Sequence, residues 1–513
     1  MTTKSYDWIA HHGRARPDKL AMTDVRTGRR YTYAEMDRRV DRLCAVLHQD
    51  FGVWAGDRVS VLAQNTTETF EVQFACWRLG AVFVPLNWRL AVPELDFIVG
   101  DCTPKVLIHE AGFTDVAAEV AAHGSVAGRI SWDGSSDGAA DYEDALGAAQ
   151  GDFPRPENTH DTILTVMYTS GTTGRPKGAI ITHGMTFWNA VNQIEFFGNG
   201  PDMVNLALLP LFHTGGLNVH ANPAFHFGGS NVVVHTFVPE EALRILSDPE
   251  VDITHFLGVP AHWLFMSQVP AFADATFPTL VAAGVGGSPT PLELIRTWMD
   301  KGLPLQQAFG MTETSPMVTA LTKEDAIRKI GSAGMPVVHT ECRIVDESQR
   351  DVEVGVVGEL WVRGPNVTPG YWNRPEATAE AITDGWLHTG DAARQDEEGY
   401  YYIVDRWKDM YVSGGENVYP AEVEDAIYQL PGIVEAAVIG VPDERWVEVG
   451  RAIIVRQEGA SLDEAQVLRH CVARLAKYKV PKSVVFVDEI PHNPTGKVLK
   501  RELRTLYGTA APP

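Results

Sequence analysis

Short runs rich in β-branched and aromatic residues alternate with helix-period patterns along most of this 513-residue chain, and few folds accommodate such an alternation. Val40, Leu43, Cys44 and Leu47 fall at i, i+3, i+4 and i+7, one apolar stripe of a helix, and Arg58–Leu62 follows as a buried strand. Ala81–Pro85, Asn231–His235, Ile253–Leu257 and Leu280–Val285 are further strand candidates, and Pro239 starts a helix over Glu240–Leu246. The pattern predicts α/β layers around a largely parallel sheet. The length exceeds what one core supports, so at least two domains are expected.

From about residue 410 the texture changes. A helix is predicted from Pro420 to about Gln429, strands near Ile433–Ile439 and Arg451–Arg456, a helix over Asp463–Lys477 and a strand at Ser483–Val487. This describes a compact α+β domain. Expected boundaries are a large N-terminal domain over 1–404, a hinge at 405–409 and a small domain over 410–513. Gly134–His160, rich in Gly, Ser, Asp and Ala, reads as a mobile surface connection, and Gly508–Pro513 as a frayed tail.

Charge narrows the function classes. Forty-three basic against 66 acidic residues give a net −23, which disfavours sequence-independent nucleic-acid binding. The first 42 residues run the other way, with ten basic residues against six acids. A solvated face is the plain reading of them, contact with anionic headgroups the other. Five dispersed cysteines suit a reduced compartment rather than a disulfide scaffold or zinc site. With no apolar leader or spanning segment, the chain is expected to be cytoplasmic, with peripheral contact at the inner membrane surface at most.

The strongest chemical signal is Tyr168-Thr-Ser-Gly-Thr-Thr-Gly-Arg-Pro-Lys-Gly178, directly after a strand-like Thr162–Met167. Gly171 and Gly174 let the backbone turn tightly and converge several N–H groups on one point, an anion nest. Ser170, Thr172 and Thr173 add hydroxyls and Lys177 a charge, which suits the triphosphate of ATP. The usual nucleotide P-loop differs, since it needs Gly-Lys followed by Ser or Thr.

With this loop and the motifs that follow it in order, the chain resembles the adenylate-forming superfamily of acyl-CoA synthetases, luciferases and peptide-synthetase adenylation domains. Within it the chain resembles the fatty-acyl-CoA ligases of actinobacterial type, over essentially its whole length. The resemblance implies an α/β large domain with layered sheets, helices and a distorted β-barrel subdomain. It also implies a small α+β domain that rotates about the hinge.

Site residues carry over by position. In Pro210-Leu-Phe-His-Thr-Gly-Gly216, His213 is similar to the residue beside the substrate carboxylate. No acid lies between Leu209 and Asn218, so nothing there would pair with a substrate amine, and a plain carboxylic acid is favoured. Gly286 and Gly287 resemble the lining of the adenine and acyl sites, at a strand end where ligands of open α/β sheets collect. In Gln306–Thr314, Phe309, where the family usually has Tyr, is placed to stack on adenine beside Gly310 and Met311. Thr312 is placed to bond the α-phosphate, and Glu313 resembles the Mg²⁺ ligand, joined by the Thr169 hydroxyl. Asp391 and Arg406 resemble the ribose readers. Lys408 occupies the rotation point, Gly414 and Gly415 the loop that passes the pantetheine arm, and Lys497 the catalytic lysine between substrate carboxylate and α-phosphate.

The implied chemistry uses ATP, Mg²⁺ and coenzyme A: carboxylate plus ATP gives an acyl-adenylate and pyrophosphate, then a thiol displaces AMP. The leading expectation is a medium- or long-chain fatty acid. An aromatic or cyclic carboxylate, and an acyl-AMP ligase loading a carrier protein, are the alternatives. A luciferase-like oxygenase and an inactive scaffold have less support, and the family supplies both monomers and homodimers.

Overall fold

A computed structural model of the chain describes residues 3–122, 124–134, 138–169, 176–288, 290–406, 409–413, 416–443, 445–492 and 498–509. Two predominantly parallel sheets form most of the large part. In the nine-stranded sheet, Gln306–Gly310, Ala282–Gly286, His255–Gly258, Val204–Ala207, Ser230–Val233 and Leu20–Asp24 run parallel in that spatial order. In the seven-stranded sheet, Arg58–Leu62 sits between Val82–Leu86 and Val106–Glu110, and Ile163–Thr169 is paired antiparallel with Lys177–Thr182. The strands predicted for these two sheets appear within two residues of their expected positions, as buried β-branched runs bounded by turn residues should.

The helix Tyr33–Gln49 buries Val40, Leu43, Cys44 and Leu47, as its period requires. Thr67–Leu79 is buried along its whole length, in a core that draws on both sheets through Met22, Val233, Val59 and Ile108. A helix enclosed on all sides must neutralise any charge it carries. Arg39 therefore meets Glu71 at 2.6 Å, Arg29 meets Glu68 at 2.5 Å, and Arg78 meets Asp7, Asp37 and Asp41. Part of the basic N-terminal stretch thus serves the interior: Arg29 and Arg39 pair with the buried Glu68 and Glu71.

A third, antiparallel sheet of five strands, Glu341–Val345, Gly358–Arg363, Ile382–Thr383, Trp386–Gln395 and Tyr401–Arg406, curls into a half-barrel. The fourth sheet contains Ile433–Asp443, Val447–Arg456 and Ser483–Val487. Helices Pro420–Tyr428 and Glu464–Val472 cover one face through Val423, Ile427 and Val467, and Lys500–Tyr507 covers the other through Leu503. The architecture is a large α/β N-terminal part with a small α+β C-terminal part. No helix among the described residues is long and apolar enough to cross a membrane.

Three expectations change. Gly134–His160 is no bare connection: Ala139–Asp141 adds a strand to the seven-stranded sheet, and Tyr142–Ala148 is a helix with Tyr142 and Leu146 in the core. Two buried side chains and the Asp141 cap outweigh a loop-like composition there. The helix predicted over Asp463–Lys477 covers only Glu464–Val472, its start fixed by the Asp463 capping box. Gly508 and Thr509 are not loose, because Arg451 donates to the carbonyl oxygens of Tyr507 and Thr509; residues 510–513 lie outside the described residues.

Candidate active site

The phosphate-loop motif sits at the open end of a hairpin. Strands Ile163–Thr169 and Lys177–Thr182 pair antiparallel, with Thr169 opposite Lys177 and Tyr168 opposite Gly178. Thr169 Oγ1 donates to the Lys177 carbonyl at 3.4 Å. Ser170, Gly171, Thr172, Thr173 and Gly174, with Arg175, lie outside the described residues.

Beside the hairpin comes the second motif. Strand Gln306–Gly310 ends at Gly310, and the chain turns through a 3₁₀ segment, Thr312–Thr314. Gly310 has no alternative there: a Cβ would lie 1.9 Å from the Pro316 carbonyl oxygen. The turn is pinned by Asn366, whose Nδ2 donates to the carbonyls of Thr314 at 3.0 Å and Met317 at 2.8 Å. Thr312 and Glu313 are consequently held buried, at 5% and 7% exposure. Gly286 ends the neighbouring strand in register with Ala308, and Gly287 turns with φ +85°. That turn therefore lies alongside Phe309, and Phe309 packs against a cluster formed by Val318 and the half-barrel residues Leu360, Val362, Ala393 and Tyr401.

That packing brings the ribose candidates near. Asp391, two residues before Ala393, is buried in the strand Trp386–Gln395 and takes Arg406 as its cross-strand partner. Its backbone N–H donates to Thr389 Oγ1 at 3.1 Å. His213 stands on the turn before Gly215–Ala221; its Nδ1 accepts from the Gly215 N–H at 3.2 Å. Lys408, Gly414, Gly415 and Lys497, like the Arg406 side chain, lie outside the described residues.

The structure adds residues that motif reading missed. Thr368 joins the two motifs: its N–H donates to the Glu313 carbonyl at 2.7 Å and its hydroxyl to the Ile180 carbonyl at 2.7 Å. Tyr371 Oη donates to Glu313 Oε1 at 2.8 Å, and Lys177 Nζ lies 5.4 Å from the Tyr371 ring centre. Burial, with the adjoining Glu313 carboxylate, pushes the Tyr371 phenol up, so it remains a donor. Asp101 accepts from Tyr168 Oη at 2.7 Å and from Arg374 Nη2 at 2.6 Å. The sequence holds one hint, an aromatic pair directly after a turn in Thr368-Pro-Gly-Tyr-Trp372.

Glu313 has the chemistry of a ligand for a hard cation. It is a buried carboxylate, and among the described residues no Lys or Arg lies within ion-pair distance of it. A buried carboxylate whose side-chain donor among the described residues is a phenol suits a cationic partner. Among the described residues, no cluster of three or more His, Cys, Asp or Glu could hold a metal. One acidic oxygen site therefore suits an ion that takes its remaining ligands from phosphates and water.

Comparison with known proteins follows the same lines. The AMP-binding enzyme family model matches residues 9–372, and the AMP-binding enzyme C-terminal domain model matches residues 422–497. A feruloyl-CoA synthase of Amycolatopsis is 42% identical, with 98% of both chains covered. An indoleacetate–CoA ligase of Aromatoleum aromaticum is 40% identical over 98% of this chain and 97% of its own. The long-chain-fatty-acid–CoA ligase FadD13 of Mycobacterium tuberculosis is 37% identical over 99% of this chain and 100% of its own. Among solved structures, ATP-bound MatB from Rhodopseudomonas palustris superposes with a TM-score of 0.89 at 34% identity, covering 98% of this chain and 99% of that one.

Proposed function

The chain belongs to the AMP-binding enzyme family as an acid–CoA ligase, and from that premise we propose that its acid is an aromatic carboxylate, activated as an acyl-adenylate. The observation that carries the choice of acid is the order of the relatives: feruloyl-CoA synthase and indoleacetate–CoA ligase both exceed the fatty-acid ligase in identity. A medium- or long-chain fatty acid is the second reading, favoured by the fatty-acid relative and by the missing side chains at Gly286 and Gly287.

In the proposed mechanism the Thr169–Lys177 hairpin end receives the triphosphate of ATP, the Lys177 ammonium offsetting part of its charge. Phe309 offers its ring face to adenine beside the Gly286–Gly287 turn. Asp391 accepts hydrogen bonds from the two ribose hydroxyls, with Arg406 alongside. Thr312 donates to an α-phosphate oxygen, and His213 borders the acid's carboxylate. Glu313 and Thr169 would hold Mg²⁺, which supplies charge neutralisation across the phosphate oxygens. Lys497 donates to substrate carboxylate and α-phosphate as charge gathers on phosphorus, a contribution of roughly 3–4 kcal/mol. The acid carboxylate displaces pyrophosphate. The small part then turns at Lys408, withdraws Lys497 and brings Gly414 and Gly415 to the site. A CoA thiolate attacks the acyl carbonyl and AMP leaves.

Pyrophosphate release across ferulate, indoleacetate, octanoate and palmitate, with and without CoA, tests the acid. Higher kcat/KM for the aromatic acids is expected; preference for palmitate replaces the reading with the second one. On the preferred acid, Lys497→Ala is expected to lose adenylation by about 10²–10³ while still converting supplied acyl-AMP to thioester. Gly415→Leu is expected to do the reverse. Equal loss of both half-reactions in both variants sinks the rotating-domain mechanism.

A further inference from the structure

We propose that Tyr371 is a positioning residue that sets the carboxylate of Glu313 for a divalent cation and ties that carboxylate to the phosphate-binding hairpin; this rests on the reading of Glu313 as the cation's ligand.

The Tyr371 hydroxyl donates to Glu313 Oε1 at 2.8 Å, and Oε2 has no donor among the described residues. One oxygen is thus engaged by Tyr371, and the other is the one proposed to meet the cation. Such outer hydrogen bonds orient a ligating carboxylate and restrict its rotamers. A free Glu side chain would otherwise have to be ordered by the ion itself, at a cost in affinity.

Tyr371 can do this only if its own position is fixed, and its backbone is fixed on both sides. Its N–H donates to Thr378 Oγ1 at 2.9 Å, and it forms an antiparallel bridge with Ala179. The next residue, Trp372, donates its N–H to the Gly178 carbonyl at 2.7 Å, and Ile180 N–H donates to the Gly370 carbonyl at 3.1 Å. The segment therefore extends the hairpin that carries Lys177. Further along, Arg374 pairs with Asp101, which also accepts from Tyr168, the first residue of the phosphate-loop motif.

The same ring faces Lys177, whose Nζ lies 5.4 Å from the ring centre. One side chain therefore touches both the candidate cation ligand and the candidate phosphate ligand. Replacing Tyr371 by Phe removes the hydroxyl and keeps the ring, so packing and the contact with Lys177 persist while Glu313 loses its donor.

Mn²⁺ binding, read by electron paramagnetic resonance with a non-cleavable α,β-methylene ATP analogue, separates the possibilities. Tyr371→Phe is expected to weaken Mn²⁺ affinity by about 10–100-fold, with no further loss when combined with Glu313→Gln. It is also expected to convert supplied acyl-AMP and CoA to thioester at the wild-type rate, which a general structural lesion would not permit. Wild-type Mn²⁺ affinity in Tyr371→Phe, with Glu313→Gln impaired, overturns the positioning role and leaves Glu313 as ligand. Wild-type affinity in Glu313→Gln overturns both. Equal loss of cation binding and of thioester formation in Tyr371→Phe reduces the residue to a structural one and also overturns the proposal.

Discussion

Gly310 leaves no room for a side chain, because a Cβ there would meet the Pro316 carbonyl oxygen at 1.9 Å. Phe309, directly before it, and Thr312, two residues after it, are the adenine and α-phosphate candidates, so any backbone shift at Gly310 reaches both. Gly310→Ala is expected to cost about 1–3 kcal/mol of stability by overpacking, measurable by urea unfolding. It should also slow adenylation by on the order of 10²-fold, because an ångström of misplacement is enough. An unchanged rate with the stability loss would show that the turn absorbs the strain without moving the site.

At the scale of elements, the segment from Asn366 to Arg374 acts as a clasp between the hairpin that carries Lys177 and the Glu313 turn. Its pins are Asn366 on Thr314 and Met317, Thr368 on Glu313 and Ile180, and Arg374 on Asp101. Asp101 holds two partners at once, Tyr168 of the loop motif and Arg374 of the clasp. Asp101→Ala leaves a phenol and a guanidinium short of an acceptor, and about 1–3 kcal/mol of destabilisation is expected. The hairpin should loosen, so KM for ATP is expected to rise several-fold while KM for the acid stays near wild type. If both KM values rise together, the clasp is not specific to the nucleotide side.

Across the whole molecule, several histidines are enclosed and held neutral. Burial pushes His183 down to about 3 and His255 down to about 4, against an ordinary value near 6.5. The unfolded chain therefore binds protons that the folded one does not between pH 6.5 and 4. Stability is fully present above pH 6.5 and falls as the pH drops through that window, by about 1.4 kcal/mol per pH unit for each such group. Thermal unfolding between pH 7 and 4.5 should follow this slope. His255→Phe should flatten it, since one titrating group is gone; an unaltered slope would remove His255 from the account.

The helix of Val40, Leu43, Cys44 and Leu47, the strand Arg58–Leu62 and the α+β character beyond residue 410 were legible in the chain, because a 3.6- or two-residue period is a local property. The motifs that hold Thr169, Glu313 and Asp391 could also be singled out in the chain, because each is contiguous; the roles proposed for them come from the resemblance. The helix Tyr142–Ala148 was not, since only burial of Tyr142 and Leu146 against distant residues makes it form. Neither was the clasp. Tyr371 lies 58 residues from Glu313 and Arg374 lies 273 from Asp101. Pairings at such separation leave no periodic trace in the chain; they arise only when the hairpin, the 3₁₀ turn and the half-barrel's neighbouring segment are packed against one another.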